Sequence, residues 1–419
     1  MGKRFRTLFA IYFAFLMLDF TSSDQLFPNF VYVAMSFYTN FWHWIVPWTG
    51  EHILHLPYKI TVRPNGSGDT TYNYVLQLLW TVFAIIIAMV WAVADRRRPS
   101  YHQFRYWCRI VIRYFLAYML FVYGFIKVIK LQFPFPDLVR LTEPYGESTP
   151  MGLAWTFVGY SSGYNLYIGS AEVLAGLLLL FKRTTLMGGL LAMAVMANVV
   201  VMNFAYDIPV KIFSLNLLFM ATWITWYDID RLIAFFLLNK SVQAQQPEYP
   251  FKSKWKKISQ YALKILFISL ALYSTLWTSM SSAKQYGELA AKPPLYGIYD
   301  IESFSRQGQL VPPLASDSSR WKRMIINYPG YVRITNMTDS LDWMQLALDT
   351  SNKWATFIST SDSTDRFTLQ YQQPDLDHLV FAGAMRNDSI RILMRRFDIN
   401  KFPLVNTGFH WINEYPNNR

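Results

Sequence analysis

Residues 74–94 read YVLQLLWTVFAIIIAMVWAVA and contain no charged side chain. Because about 20 apolar residues in a helix cross the roughly 30 Å hydrocarbon core of a bilayer, this stretch predicts a transmembrane helix. Six more stretches have a similar composition, at residues 5–20, 107–131, 164–181, 184–206, 209–236 and 259–281. We therefore expect an α-helical integral membrane protein with about seven transmembrane helices.

The composition of the whole chain agrees with a membrane protein. Of the 419 residues, 53% are hydrophobic, 18% are aromatic and 16% are charged, which is more apolar and less charged than soluble domains usually are. The mean hydropathy of +0.16 excludes a disordered chain. The single cysteine, Cys108, excludes a disulfide framework within the chain.

Three N-terminal features need separate interpretations. The first span follows a basic start and also fits a signal peptide, but no small-x-small cleavage site follows Asp19, so we expect an uncleaved anchor. The stretch Phe30–Trp48 contains Asn40 and Pro47 among three tryptophans, which is typical of an external interfacial or re-entrant segment. The loop Asn65–Asp69 predicts a flexible turn outside the membrane.

The charge distribution predicts the orientation. The net charge of +12 belongs to the apolar part, since 24 basic and 13 acidic residues precede Lys284, against 15 and 14 from there onward. With the N-terminus inside, predicted cytoplasmic loops hold 16 basic residues and the outer side holds six. The positive-inside rule then predicts a multi-pass membrane protein with a cytoplasmic N-terminus. We expect it in the bacterial inner membrane, as the resemblance given below implies. Nucleic acid is not an expected partner, because no basic stripe carries readout residues.

The chain after Ser281 changes to short alternating segments separated by Pro, Gly, Asn and Asp, which predict strands and turns. We expect eight strands, near residues 297–304, 322–328, 331–337, 343–350, 354–360, 367–372, 378–384 and 388–396. Eight consecutive strands favour an antiparallel meander closed into a small barrel, with a sandwich as the alternative. Because the seventh span ends outside, this domain is expected to face the periplasm or an equivalent exterior.

Four regions follow from this organisation. They are an N-terminal membrane anchor region with its external interfacial segment, a four-helix membrane core, a cytoplasmic loop with the seventh transmembrane helix, and an external antiparallel β-barrel-like domain. Their predicted boundaries are residues 1–106, 107–236, 237–283 and 284–419.

Polar residues inside the spans are the best candidates for function, because a charge at the bilayer centre costs about 2.5–3.5 kcal/mol and usually faces a partner or cavity. At about 1.5 Å per residue, seven of them fall in the outer leaflet: Lys127, Glu172, Asn198, Asn203, Asp207, Lys211 and Asn216. They predict a polar pocket that opens outward, with Glu172 and Lys127 as an ion pair or proton relay. The alternative is interhelical hydrogen bonding that only orders the bundle.

The histidines argue against a metal cofactor. All six lie outside the predicted span interiors, so paired axial ligands for a membrane haem are missing. Glu51, His52 and His55 could share one helical face, but their spacing is short and no fourth ligand is visible, so packing is expected there instead of zinc binding. No metal site is predicted.

Residues 107–236 carry a group of motifs: Arg113, Gly124 and Lys127; Glu172–Gly176 leading to Lys182–Thr185; Asn198 to Asn203; and Tyr206–Lys211. In these motifs the chain resembles the DoxX/DoxD-like integral membrane family, in a long bacterial form with an extra C-terminal β domain. The resemblance implies a four-helix membrane bundle. It also implies redox chemistry, because some members are implicated in quinone-linked thiosulfate oxidation or associate with redox partners.

Two functions follow. The first is a redox-associated membrane component that binds quinone or another lipid-soluble ligand in the outer-leaflet pocket. Glu172 or Lys127 would then handle protons, and Asn198 and Asn203 would hydrogen-bond the ligand. The second is a non-enzymatic scaffold whose β domain recognises an envelope protein or lipid. The expected partners are the bilayer and a redox or envelope protein, and no motif decides whether the protein is an enzyme.

The predicted topology can be tested with two reporter fusions. A reporter fused after Arg419 should behave as external, and one inserted at Gln245 should behave as cytoplasmic, because the basic residues divide 16 to six between the two sides. A cytoplasmic C-terminus would contradict the arrangement of seven spans.

Overall fold

The computed structural model describes residues 3–23, 29–62, 65–95, 102–243 and 253–417. The chain divides into two compact units. A helical unit comprises Met1–Gln132 and Ser162–Ser282, and a barrel unit comprises Phe133–Ser161 and Ala283–Arg419. Some of the basic residues counted above for the orientation lie outside the described residues, namely Arg63, Arg96, Arg97, Arg98 and Lys252. The two reporter positions, Gln245 and Arg419, also lie outside them.

The α-helices of the described residues are, in chain order, α1 (Lys3–Ser23), α2 (Asn29–His52), α3 (Thr71–Ala94), α4 (His102–Val128), α5 (Leu138–Leu141), α6 (Pro150–Tyr160), α7 (Ser162–Leu179), α8 (Thr185–Ala205), α9 (Lys211–Trp226), α10 (Ile229–Leu232), α11 (Lys254–Gln285) and α12 (Pro403–Asn406). A π-helical turn, Ile233–Leu237, follows α10, and two short 3₁₀ turns lie at Tyr145–Glu147 and Ile399–Lys401.

All seven predicted spans lie on helices. Within the described residues, four of these helices are long and apolar enough to cross a membrane, namely Thr71–Ala94, Tyr106–Val128, Thr185–Ala205 and Lys254–Gln285. The helical segments Lys211–Trp226 and Ile229–Leu237 are bent relative to each other, and they make a fifth candidate if together they form one span. The apolar part of α1 is shorter, and Asn165 and Glu172 lower the hydropathy of α7. Large apolar side chains are exposed along the long helices, as a surface facing hydrocarbon requires.

Four helices of the helical unit form a bundle. Helix α4 packs on α7, α7 on α8, α8 on α9, and α9 returns to α4. Helix α1 packs on α2, α3 and α4. The stretch predicted as interfacial or re-entrant is one continuous helix, α2, which does not turn back on itself and buries Trp42 against Trp80 of α3.

The predicted span 209–236 is not straight. Between α9 and the segment Ile229–Leu237 the chain bends by 71°. Asp228 lies at this bend with a buried side chain, and its two carboxylate oxygens accept hydrogen bonds from Arg109 and Arg231, each at 2.8 Å. The bend lets a buried carboxylate meet two guanidinium groups.

The barrel unit contains nine strands in its described residues: β1 (Gly297–Arg306), β2 (Gln309–Leu310), β3 (Trp321–Ile326), β4 (Tyr331–Asn336), β5 (Leu341–Asp349), β6 (Trp354–Ser359), β7 (Arg366–Gln372), β8 (His378–Met385) and β9 (Asp388–Arg396). Strands β1 and β3–β9 form an antiparallel meander, and β1 closes it by pairing with β9. The predicted eight-stranded barrel is therefore confirmed and the sandwich alternative is wrong. The two-residue β2 only extends the end of β1.

The interior of the barrel is filled by side chains. Along β7, Phe367, Leu369 and Tyr371 point inward and alternate with exposed residues. The rings of Phe357 and Phe367 stack with centroids 5.0 Å apart, and Phe381 meets Phe357 edge-on at 5.6 Å. An eight-stranded barrel is just wide enough for such a packed core.

Part of the outside of the barrel is covered by the segment Phe133–Ser161. Leu138 of this segment packs on Ile298 and Ile325, which point outward from β1 and β3, and all three are buried. The backbone N–H of Leu138 donates to Asn327 Oδ1 at 3.2 Å. Polar side chains support the contact, since Tyr328 hydrogen-bonds to Asp137. The segment is therefore an integral part of the barrel unit.

The substitution Leu138→Ala should destabilise the barrel unit by about 2–5 kcal/mol, because it removes a fully buried leucine. The measurement is thermal unfolding of the purified protein followed by β-sheet circular dichroism. Leu376→Ala removes the same atoms from an exposed side chain and should leave the transition unchanged. Equal transitions for the two variants would contradict the packing of Leu138.

Candidate functional site

Lys127 and Glu172 form a buried ion pair between α4 and α7. Lys127 Nζ lies 2.9 Å from Glu172 Oε2, and the two residues are 5% and 2% exposed. The ammonium group also donates to the carbonyl of Tyr123 at 3.3 Å and lies 5.6 Å from the centre of that ring. Both charges therefore have partners, and the predicted ion pair is present.

Two glycines bring the helices close enough for this pair. A Cβ on Gly169 would lie 2.7 Å from the carbonyl oxygen of Gly124, and one on Gly124 would lie 3.0 Å from the carbonyl oxygen of Gly169. Each glycine precedes its charged residue by three positions, almost one helical turn. Close backbone approach at small residues is the usual way that membrane helices associate, and it places Lys127 within reach of Glu172.

A second group joins α8 to α9. The amide of Asn203, which is buried, donates to Ser214 Oγ at 3.0 Å and to the carbonyl of Val210 at 3.4 Å. Lys211 pairs with Asp207 at 2.7 Å, but the side chain of Asp207 is largely exposed. This group closes the hairpin between the two helices.

Asp69 belongs to the same region, although the sequence predicts only a flexible turn there. Its carboxylate accepts the backbone N–H groups of Lys211 at 2.7 Å and Ile212 at 3.0 Å. Gly68 N–H donates to the carbonyl of Pro209 at 2.8 Å. An aspartate at a helix N-terminus satisfies free N–H groups and complements the helix dipole. The loop is therefore held against the start of α9.

Asn216 belongs to a third group, with two residues that sequence reasoning missed. Its Oδ1 accepts a hydrogen bond from the Tyr12 hydroxyl at 2.6 Å, and its Nδ2 donates to Gln77 Oε1 at 3.3 Å. Tyr12 also hydrogen-bonds to Gln77. This cluster joins α9 to α1 and α3. Gln77 is the one amide side chain of the stretch 74–94, which was the signal available in the sequence.

The seven predicted residues thus divide into separate groups. Asn198 is exposed on α8 and takes part in none of them. The other six lie in the three groups just described. Among the described residues, the second and third groups are joined only through the backbone of α9, where Asn216 Nδ2 donates to the carbonyl of Ile212 at 3.1 Å. Each group bridges helices, an arrangement that orders a bundle.

The helical unit contains a large groove elsewhere, between α4 and α11. Its volume is about 1370 Å³. Aromatic and aliphatic side chains form most of the walls, among them Val111, Tyr114, Leu263 and Phe267. The rings of Tyr114 and Phe267 meet edge-on at 5.1 Å. The groove lies toward the α7–α8 loop, since Phe181, Lys182 and Arg183 also line it.

Metal ligands are not assembled in the described part of the chain, where no group of three or more His, Cys, Asp or Glu could hold an ion. The three residues considered for zinc, Glu51, His52 and His55, are exposed at and beyond the end of α2. The ring of His52 stacks on Trp48 with centroids 5.2 Å apart, which is a packing contact.

Comparison with known proteins gives one informative relative. The chain is 37% identical over 133 residues to the uncharacterized protein YwoB of Bacillus subtilis (strain 168), a match that covers 30% of this chain and 79% of that protein. No family model matches the chain, and no solved structure does.

The role of the ion pair can be tested by removing one charge or both. Lys127→Met should destabilise the helical unit by about 3–5 kcal/mol, because it leaves the Glu172 carboxylate buried without its partner. Adding Glu172→Gln to that variant should restore most of the loss. The measurement is unfolding of the purified protein in detergent.

A proton relay predicts a different pattern. If the pair acts only as a relay, both single variants and the double variant should unfold like the unmodified protein. That result would contradict the structural role assigned to the pair.

Proposed function

The chain belongs to the family of the uncharacterized protein YwoB of Bacillus subtilis, and we propose that it is a membrane protein that binds a lipid-soluble ligand in the groove between α4 and α11. The observation that carries this proposal is the groove itself. Ligand sites are concave, mainly apolar and furnished with a few polar groups. Here Ser259, Gln260 and Tyr114 supply neutral polar groups among apolar and basic side chains.

The polar residues predicted to lie in the outer leaflet are better suited to holding the helices of the bundle together than to binding a ligand. Lys127 and Glu172 satisfy each other, and Asn203 and Asn216 have partners on neighbouring helices. A ligand that used these groups would first have to displace existing hydrogen bonds. The groove needs no such displacement, which supports it as the site for quinone or another lipid-soluble molecule.

The proposal includes a DoxX-like core and an orientation. The ring of α4, α7, α8 and α9 agrees with the four-helix bundle that the resemblance implies. We further propose seven spans in a bacterial inner membrane, with a cytoplasmic N-terminus and a periplasmic barrel. The charge distribution supports this orientation. The groove would then open toward the inner leaflet, because the α7–α8 loop is a predicted cytoplasmic loop. A redox role remains part of the proposal, with quinone as the ligand that it requires.

A second candidate function, a scaffold that acts through the barrel unit, rests on a different observation. Phe409, Trp411 and Tyr415 follow the last strand and are highly exposed, with Trp411 90% exposed. Exposed apolar patches commonly mark contacts with proteins or membranes. Because the barrel interior is filled, recognition by this unit would use such outer residues.

Filling the groove should abolish retention of the ligand. Val111→Trp places a large side chain in the groove, whereas Val201→Trp makes the same change at an exposed position of α8 that does not line it. Organic extracts of gently purified protein, analysed by mass spectrometry and by quinone absorbance, should contain a lipid-soluble molecule for the unmodified protein and for Val201→Trp. They should contain much less of it for Val111→Trp. Equal amounts in all three samples would contradict the proposal.

A further inference from the structure

The chain turns sharply where α9 ends. The segment Ile229–Leu237, here called the bent segment, differs in direction from α9 by 71°. It consists of the four residues of α10 and the five of the π-helical turn. As a straight continuation of α9 they would advance about 13 Å along its axis, whereas at 71° they advance only about 4 Å. The bent segment therefore runs nearly crosswise to α9.

Buried charges fix this bend. The side chain of Asp228 is 3% exposed, and it pairs with Arg109 of α4 and with Arg231 of the bent segment, each at 2.8 Å. The Arg109 guanidinium also lies 4.8 Å from the centre of the Tyr227 ring. Breaking a buried ion pair is costly, because it leaves a charge without its partner. The start of the bent segment is therefore held against the bundle.

The bent segment also has a defined end. In its π-helical turn the N–H of Leu238 donates to the carbonyl of Ile233 at 3.1 Å. Asn239 follows in the left-handed region, with a φ of 50°, and Lys240 N–H donates to the carbonyl of Ala234 at 2.8 Å. A left-handed residue with such a hydrogen bond is a common way to end a helix. The segment is thus a short element with both ends fixed.

The apolar side chains of the bent segment are exposed. Residues 235–238, two phenylalanines and two leucines, are each more than half exposed. Basic residues stand on both sides of them, with Arg231 before and Lys240 after. Phenylalanine and leucine combined with basic residues are typical of a short helix that lies in the plane of a membrane interface. Four adjacent exposed apolar residues also need a partner other than water.

The length of α9 indicates the depth of this apolar surface. Its 16 residues cover about 24 Å, somewhat less than the roughly 30 Å hydrocarbon core of a bilayer. Because the bent segment advances only a few ångström further, a membrane crossed by α9 would have its hydrocarbon boundary near the bent segment. Trp226, the last residue of α9, is exposed, and exposed tryptophans are enriched at this boundary.

We propose that the bent segment is an interfacial anchor, which lies in the plane of the membrane and inserts residues 235–238 among the acyl chains of one leaflet. Its partner is the lipid surface at the end of α9, where Arg231 and Lys240 reach the headgroups. In the proposed orientation this is the cytoplasmic leaflet. The inference goes beyond the proposed function, because no residue of the bent segment lines the groove.

The test measures the depth of single side chains in a bilayer. The natural cysteine is removed by Cys108→Ala, and Ile233→Cys, Phe236→Cys or Leu237→Cys is then introduced, each at an exposed position. The full-length protein carries a nitroxide spin label on the new cysteine and is reconstituted into vesicles of phosphatidylethanolamine and phosphatidylglycerol. Electron paramagnetic resonance measures how accessible the label is to oxygen, which concentrates in hydrocarbon, and to a water-soluble nickel chelate.

Two control positions define the scale. Val82→Cys labels an exposed position midway along α3 and marks hydrocarbon, and Leu376→Cys labels an exposed position of the barrel unit and marks water. We expect the oxygen-to-nickel ratios at residues 236 and 237 to lie between those of the controls. The depths of Ile233→Cys and Leu237→Cys should differ by only about 2 Å, whereas a straight continuation of α9 would separate them by about 6 Å.

Three outcomes would overturn the anchor. Nickel accessibility at residues 236 and 237 equal to that of Leu376→Cys would place the segment in water. Low accessibility to both reagents would mean that protein, such as a second copy of the chain, covers it. A depth difference near 6 Å would mean a continuous span. Thermal unfolding checks that each variant is folded, and Phe235→Cys replaces one that is not. Ligand retention by the Val111→Trp variant tests the groove separately, so failure of one proposal leaves the other standing.

Discussion

The buried contact between Lys127 and Glu172 is the interaction on which the helical unit depends. Two ionised groups withdrawn from water are stabilised only while their geometry is kept, so this contact restricts how α4 and α7 can rotate and slide. Between helices in lipid there is little hydrophobic driving force, and close packing and polar contacts decide how they associate. Helix α7 in turn holds α8, and α4 holds α9 and α1. The packing of the four-helix bundle therefore depends on one pair and on the glycines beside it.

The sequence predicted the existence of the elements well, because each has a strong periodicity. Continuous apolar runs indicated the membrane helices, and alternation between turn residues indicated the eight strands of the barrel. The depth of each residue along its helix could also be predicted, because it depends only on residue count. The direction in which each side chain points around the helix axis could not be predicted. Asn198 and Asn203 were predicted to share a pocket, yet five residues turn a helix by about 140° relative to the starting direction, and only Asn203 faces the bundle.

Long-range partners were beyond the reach of the sequence for a related reason. Tyr12 and Gln77 meet Asn216 across gaps of 204 and 139 positions, and no local pattern marks such a meeting. Asp69 looked like a turn residue because its neighbours are turn residues. Lys182 was counted only as a basic residue of a cytoplasmic loop, and Lys264 was overlooked inside the seventh span. Their shared groove could not be predicted, because it exists only when α11 lies against α4. Sequence patterns report what each segment can do alone, whereas these sites depend on how the segments are placed.

The closed pairing of β1 with β9 has a consequence for a protein confined to a membrane. Molecules held in one plane meet each other at a high local concentration, and an open sheet edge with free N–H and C=O groups would then act as a template for aggregation. The meander presents no such edge, apart from the two-residue β2. Neighbouring copies could therefore crowd together on the bilayer without their sheets merging into fibrils.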